Sequence, residues 1–324
     1  MGVAMDLETY LGDTAEQVDK LINRYFGDSF TGLGRASSHL LLAGGKRLRP
    51  ALLLLSADAV RPGSSQDLLP AAISLELTHS FTLIHDDIMD GDSTRRGVPT
   101  VHTKWDEPTA ILAGDVLFAR AFEFLCLSLS KDNAKVRAVS MLARTCVEIC
   151  EGQHLDISFE KRDDVTEGEY LEMVSKKTGA LYAASAGIGG ILADGYPTYV
   201  DALYHYGLNT GIAFQIQDDL IDLLASASRS GKDRASDLRE GKQTLISILA
   251  REKGLDLSQY RRTLTDDEID RVIADLRRLG VIDEVQEKAA ELVRSSREII
   301  GILPESDEKR LLNELSEFFV TRGS

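Results

Sequence analysis

The sequence predicts an all-α chain, and three observations carry that expectation. Apolar residues recur at three- and four-residue spacings in nearly every periodic segment. No stretch alternates with the period of a strand, and the breaks are short clusters of Gly, Pro and Ser such as RPGSSQ, GVPT, LADGYPT and LPESD. None of these breaks is long enough to be an interdomain linker. The expected architecture is therefore one domain, residues 1–324, a single-domain helical bundle around a central cavity.

The helical segments follow in order. LETYLGDTAEQVDKLINRYF opens the pattern, GGKRLRP at 44–50 breaks it, and DLLPAAISLELTHSFTLIHDDIMD resumes it to residue 90. LFARAFEFLCLSLS, VRAVSMLARTCVEICEGQHLDISFE and VIDEVQEKAAELVRSSREII have the same period. With 43% hydrophobic residues in 324, the chain can bury a sizeable core. Its 52 acidic against 37 basic residues give a net charge of −15, which argues against nucleic acid or a basic membrane face. Cys126, Cys146 and Cys150 cannot build a disulfide framework. Cys146, Cys150 and His154 fall at i, i+4 and i+8, but no other soft ligand lies near, so small thiols on a helix are the plainer reading. The N-terminus carries acids where a secretion signal needs basic residues, and no apolar run reaches membrane-spanning length. A cytoplasmic protein is expected.

Charge placement points to chemistry. The pattern D-D-x-x-D occurs at Asp86, at Asp218 and at Asp266, where chance alone gives about 0.26 of a match in such a chain. The third has a local explanation, because Thr265 and Glu268 make a capping box and acids suit a first helical turn. The first two lie inside apolar helical runs, SFTLIHDD and GIAFQIQDD. On a helix Asp86 and Asp90 stand at i and i+4, where two charges repel by roughly 3 kcal/mol at an effective dielectric near 20. Solvent, a proton or a cation must offset that repulsion. Two such clusters suggest hard cations bridging carboxylates to a ligand, and magnesium suits best, since it accepts one or two carboxylates plus phosphates. Basic groups stand close by in sequence: Lys46, Arg47 and Arg49 after Gly-Gly, Arg95 and Arg96 after the first triplet, then Lys176, Lys177, Lys232 and Lys242. Together they fit a diphosphate site.

In these motifs, from about residue 39 to about 250, and in the C-terminal ELSEFFVTR, the chain resembles the trans-isoprenyl diphosphate synthases, most closely archaeal short-chain members such as geranylgeranyl diphosphate synthases. The resemblance implies a homodimer that condenses isopentenyl diphosphate with dimethylallyl, geranyl or farnesyl diphosphate. It implies that Asp86 and Asp90 hold two magnesium ions and Asp218 a third, supported by Asp87, Asp219 and Asp222. Arg95, Lys177, Lys232 and Lys242 would bind the allylic diphosphate; Lys46, Arg49, His79 and Arg96 would bind isopentenyl diphosphate. Thr178, Gln215 and the Lys177 carbonyl would face the developing carbocation. Gln153 and Asp156 match a cavity-lining motif, with a packed polar pair as the alternative. In the family an aromatic residue five positions before the first aspartate limits product length, so Phe81 followed by Thr82 implies a twenty-carbon product, a farnesyl or longer product being the alternative.

Three rivals are weaker. A terpene cyclase usually carries an Asn/Asp, Ser/Thr and Glu motif at its second site, whereas this chain has DDLID. A non-catalytic partner subunit would have lost family motifs, and none is missing. A calcium-stabilised scaffold would need more oxygen ligands than three per helix.

Overall fold

A computed structural model describes residues 5–27, 31–224 and 234–321. The described residues are overwhelmingly helical: α1 (Leu7–Phe26), α2 (Gly32–Leu42), α3 (Leu48–Val60), α4 (Leu69–Asp90), α5 (Val101–Lys104), α6 (Glu107–Cys126), α7 (Asp132–Phe159), α8 (Glu167–Val174), α9 (Ala180–Leu192) and α10 (Pro197–Leu224). Beyond them come α11 (Ser236–Glu240), α12 (Leu245–Glu252), α13 (Asp266–Arg278), α14 (Val281–Ile299) and α15 (Asp307–Thr321). No helix among the described residues is long and apolar enough to cross a membrane. Two compact units divide the chain, and each gathers segments far apart in sequence. The first comprises the chain up to Cys146, Leu181–Tyr204 and Ile300–Glu314; the second comprises Val147–Ala180, His205–Ile299 and the chain from Leu315.

In the first unit α4 is the central helix. Ala71 through Thr78 are all buried, so this stretch of the helix has no solvent-exposed face. Pro70 starts it, where a missing amide hydrogen costs nothing, and Gly91 ends it at φ +70 with its amide on the Asp87 carbonyl. Against α4 lies α6, which presents Ala110, Ala113, Gly114, Leu117 and Ala121 along one stripe. Small residues are required there, since a β-carbon at Gly114 would stand 2.2 Å from His85 Nε2. In the same unit α9 meets α3 at Gly189, whose β-carbon would stand 2.2 Å from the Leu53 carbonyl oxygen.

One element differs from the all-helical expectation. Thr94–Arg95 pairs antiparallel with Val98–Pro99, leaving Arg96 and Gly97 as a two-residue loop. Both loop residues are left-handed, at φ 53 and 75, the geometry that matches strand twist in a tight hairpin. Four strand residues are too few to show alternation in sequence.

The second unit packs Tyr170, Val174, Ile216, Leu220, Leu249 and Leu276 into its core. Its α13 begins as expected: Thr265 Oγ1 accepts from the Glu268 amide, and the Glu268 carboxylate accepts from the Thr265 amide. Hydrogen bonds from Arg262 and from the Thr265 backbone hold the Glu268 carboxyl down at about 2. Asp266 and Asp270 face Arg234 at 3.7 and 2.6 Å. The third aspartate triplet is thus a helix start with a surface ion pair. Cys146 is buried, whereas Cys150 and His154 are exposed.

Candidate active site

The last turns of α4 carry the first aspartates. Asp90 is exposed, Asp86 half-buried and Asp87 fully buried. Arg95, delivered by the hairpin, donates from Nε to Asp87 Oδ1 at 2.7 Å and pairs with Asp92 at 2.9 Å. Burial pushes the Asp87 carboxyl above the usual carboxylate range, and Arg95 only partly opposes this. Burial also works against the charge on Arg95, but Asp87 and Asp92 outweigh it and hold its pKa above the ordinary value. The second oxygen of Asp87 is buried with no hydrogen-bond partner among the described residues.

A second cationic cluster surrounds Gly44 and Gly45. Gly44 sits at φ +88, which favours glycine, and a β-carbon at Gly45 would stand 3.3 Å from the Arg96 guanidinium. Arg96 donates to the Gly44 carbonyl at 2.5 Å and to the Leu40 carbonyl at 3.1 Å. Lys46 is exposed. Arg49 lies with its guanidinium carbon 4.4 Å from the centre of the buried Tyr182 ring, a cation–π contact that fixes its plane. His79 is held well below its ordinary pKa, first by desolvation and then by Arg49, Arg96, Arg95 and Arg47, so its imidazole is neutral near pH 7.

The adjacent Arg47 differs from its neighbours. It is buried, left-handed at φ 48, and donates to Glu76 at 2.5 Å, to Asp19 at 2.8 Å and to the Leu41 carbonyl at 2.7 Å. Grouping it with Lys46 and Arg49 on sequence proximity is corrected by this burial: its donors are turned inward. Lys176 likewise pairs with Glu172 and Glu151 at 2.9 and 3.2 Å, apart from the role expected of Lys177.

In the second unit α10 places Asp218 at the surface, Asp219 in the core and Asp222 half-buried. Tyr170 donates to Asp219 Oδ2 at 2.7 Å, and Gln215 donates to Asp219 Oδ1 at 2.9 Å. Burial, followed by the nearby Asp237, pushes the Asp219 carboxyl well above the usual range. Thr178 in turn donates to Gln215 Oε1 at 2.9 Å, so Thr178, Gln215, Asp219 and Tyr170 form one hydrogen-bonded chain. Asp222 accepts from Ser236 Oγ at 2.6 Å and from the Asp237 amide at 3.0 Å, fixing α11. Lys242 stands 3.6 Å from Asp237 and 3.3 Å from Glu240. Lys232 lies outside the described residues.

Lys177 and Thr178 sit in a π-helical turn, Ser175–Gly179, a widened turn often found at functional sites. Lys177 pairs with Asp156. The turn packs directly on Gly152 of α7, where a β-carbon would stand 2.3 Å from the Lys177 amide nitrogen. Gly→Ala within an exposed helix gains up to about 1 kcal/mol. Here the sign is expected to reverse: Gly152→Ala should lower stability by about 1–3 kcal/mol through overpacking. A melting temperature at or above that of the parent chain would refute this.

Three polar residues were not singled out in the sequence. Glu76 reads as one more position in an apolar run, and Tyr182 lies in ALYAASAG with no motif around it. Asp237 is one acid among several in SGKDRASDLREGKQT, yet burial and Asp222 push its carboxyl up to about 6. Thr82 donates back to the His79 carbonyl at 2.8 Å. Phe81 packs edge-on against Phe118 with centroids 5.3 Å apart.

The model of the polyprenyl synthetase family matches residues 31–276. The chain is 48% identical over 304 residues to a geranylfarnesyl diphosphate synthase of Natronomonas pharaonis, covering 89% of each chain. It is 48% identical over 292 residues to a geranylgeranyl pyrophosphate synthase of Geoglobus acetivorans, covering 90% of this chain and 91% of that one. The solved structure of a geranylgeranyl pyrophosphate synthetase from Geoglobus acetivorans matches with a TM-score of 0.90 at 45% identity, covering 96% of this chain and 99% of that chain. An all-helical prenyltransferase is the class these matches define. The chain belongs to the polyprenyl synthetase family.

Proposed function

We propose that the chain is a magnesium-dependent, head-to-tail prenyltransferase that condenses isopentenyl diphosphate with allylic diphosphates and makes chiefly geranylgeranyl diphosphate. One observation supports this above the others. In a chain of net charge −15, Arg49, Arg96 and the neutral His79 gather around the Gly44–Gly45 turn beside the exposed Lys46. Such a cluster suits a diphosphate, which forked guanidinium donors and a point ammonium charge can share.

The roles follow from donor chemistry. Lys46, Arg49, Arg96 and His79 bind isopentenyl diphosphate, His79 as a neutral hydrogen-bond donor. Arg95, Lys177 and Lys242 bind the allylic diphosphate, and Lys232 is assigned to the same group. Arg95 spends only some of its five-donor fork on Asp87 and Asp92. Thr178 uses its proton on Gln215, which leaves its oxygen lone pairs to face a developing allylic cation.

The carboxylates fit hard divalent ions. Asp86 and Asp90 would hold two magnesium ions and Asp218 a third, with Asp87, Asp219 and Asp222 fixing the helices that carry them. The unpartnered, buried Oδ2 of Asp87 supports this, because an ion's water ligand is a donor it otherwise lacks. When bound, magnesium neutralises charge on the departing diphosphate. The double bond of isopentenyl diphosphate then attacks the allylic carbon, and the released diphosphate takes the final proton. No side-chain nucleophile is involved.

A homodimeric, cytoplasmic enzyme is the reading for assembly and location. Ile111, Leu112 and Phe118 on α6 and Val136 on α7 are exposed apolar residues, which supports self-association. A longer, twenty-five-carbon product is the second reading, favoured by the relative named a geranylfarnesyl diphosphate synthase.

One experiment tests the reaction. The protein is incubated with isopentenyl diphosphate and farnesyl diphosphate, with and without magnesium, and chromatography follows the products. Inorganic diphosphate and a twenty-carbon chain should appear only with magnesium. No elongation, or a cyclic hydrocarbon, would overturn the reading, and sedimentation of an active monomer would overturn the dimer.

A further inference from the structure

Two of the four non-glycine residues with positive φ among the described residues are arginines, Arg47 at 48 and Arg96 at 53. Each costs backbone strain, which persists only where surroundings over-determine it. Both reach the same carboxylate. Glu76, 3% exposed in the buried half of α4, accepts from Arg47 at 2.5 Å and stands 3.5 Å from Arg96. A carboxylate so deeply buried is unfavourable unless paired, and these guanidiniums, brought together from distant positions in sequence, are its ion-pair partners.

The geometry also couples the two. Arg47 occupies the N-cap position of α3, the helix that carries Arg49, and its side chain is tied to the end of α2 through the Leu41 carbonyl. Arg96 is tied to α2 through the Leu40 carbonyl and to the turn through the Gly44 carbonyl. Glu76 lies beneath both, three residues before His79 on one helix, so it fixes the turn bearing Lys46 and the orientation of the Arg96 fork together. We infer that Glu76 is a positioning residue for the isopentenyl diphosphate subsite, acting through Arg47 and Arg96 without touching substrate. The inference rests on the assignment of Lys46, Arg49, His79 and Arg96 proposed above.

Asp19 supplies the control. It pairs with Arg47 at 2.8 Å and is partly solvent-accessible, and among the described residues no ion pair or hydrogen bond joins it to Arg96. Asp19→Asn should therefore weaken the Arg47 anchor without releasing Arg96. Glu76→Gln keeps the shape and removes the charge. Steady-state kinetics with each substrate varied in turn should show the KM for isopentenyl diphosphate raised by about tenfold or more in Glu76→Gln, the loss of one charge-assisted interaction. The KM for farnesyl diphosphate and kcat should stay within about threefold. Asp19→Asn should leave both KM values within about threefold, and Glu76→Asp, which keeps the charge but shortens its reach by one methylene, should recover only part of the affinity, its KM for isopentenyl diphosphate staying several-fold above the parental value.

The outcomes are separable. Arg96→Ala run alongside tests the underlying assignment: an unchanged KM for isopentenyl diphosphate there removes the subsite itself. If Arg96→Ala raises that KM and a folded Glu76→Gln does not, the subsite stands and the positioning role is refuted. Equal rises for both substrates, or an equal rise in Asp19→Asn, would mean that Glu76 acts only through general stability and would also refute it. Should Glu76→Gln fail to melt cooperatively, Glu76→Asp decides: a selective rise in the isopentenyl diphosphate KM supports the role, and an unchanged value overturns it.

Discussion

Asp86→Ala and Asp218→Ala are each expected to lower turnover by about a thousandfold or more, while Asp266→Ala leaves it within about twofold. All three belong to the same D-D-x-x-D pattern, so the contrast isolates context from composition. Asp86 lies one turn from the end of α4 beside the Arg95–Asp87 pair, and Asp218 adjoins the buried Asp219 network of α10. Removing either would take away a hard oxygen where negative charge on a leaving diphosphate must be neutralised, and a few kcal/mol lost there costs orders of magnitude. Asp266 occupies the first turn of α13 and faces Arg234 across 3.7 Å, a place where an acid contributes about 0.3–1 kcal/mol to the helix and nothing to chemistry. Diphosphate release at saturating magnesium and substrates, with melting curves for all three variants, checks this. Comparable loss of turnover at Asp266 would show that the third cluster is functional. Near-parental turnover in Asp86→Ala would remove its role as a metal ligand.

Phe81→Ala is expected to shift the product distribution beyond twenty carbons and to leave the first condensation largely intact. Phe81 is 6% exposed and packs edge-on against Phe118 and against His85, with centroids 5.3 and 6.0 Å away. Its removal opens space one turn and more before Asp86 without touching any cation of the proposed diphosphate subsites. Thr82 would not close that space, because its hydroxyl is engaged with the His79 carbonyl. Loss of a buried aromatic should cost about 3 kcal/mol or more of stability, so the mutant must be assayed below its lowered melting point. Chromatography of products from farnesyl diphosphate reads the outcome. An unchanged distribution in the folded mutant would assign the length limit to another side chain.

Much of the helical frame was legible because helices announce themselves locally. Period and the Thr265–Glu268 capping box are short-range signals, and each appears where its spacing places it. The sorting of the three aspartate triplets used the same local logic. What stayed hidden depends on partners distant in the chain. Lys46 and Arg47 are neighbours in sequence, yet one is exposed and the other is turned inward by Glu76, 29 residues away. Arg49 is oriented by Tyr182, more than a hundred residues on, and the need for Gly152 appears only when the turn at Lys177 is seen lying on it. The hairpin was missed for a different reason: with two residues per strand, its register comes from the left-handed Arg96–Gly97 pair and not from any apolar pattern.

The widened turn at Ser175–Gly179 has a consequence for insertions and deletions. An α-helix advances about 100° per residue, so a π turn is in effect a helix that has absorbed one extra residue. Deleting a single residue between Ser175 and Gly179 would let the backbone anneal into unbroken α-helix from α8 into α9, with better hydrogen bonding. It would also rotate everything on one side of the cut by about 100° relative to the other. Lys177 and Thr178 could then no longer meet Asp156 and Gln215 while Tyr170 kept its bond to Asp219. The segment therefore trades helical regularity for phase, and a shorter, more regular variant should fold well and work poorly.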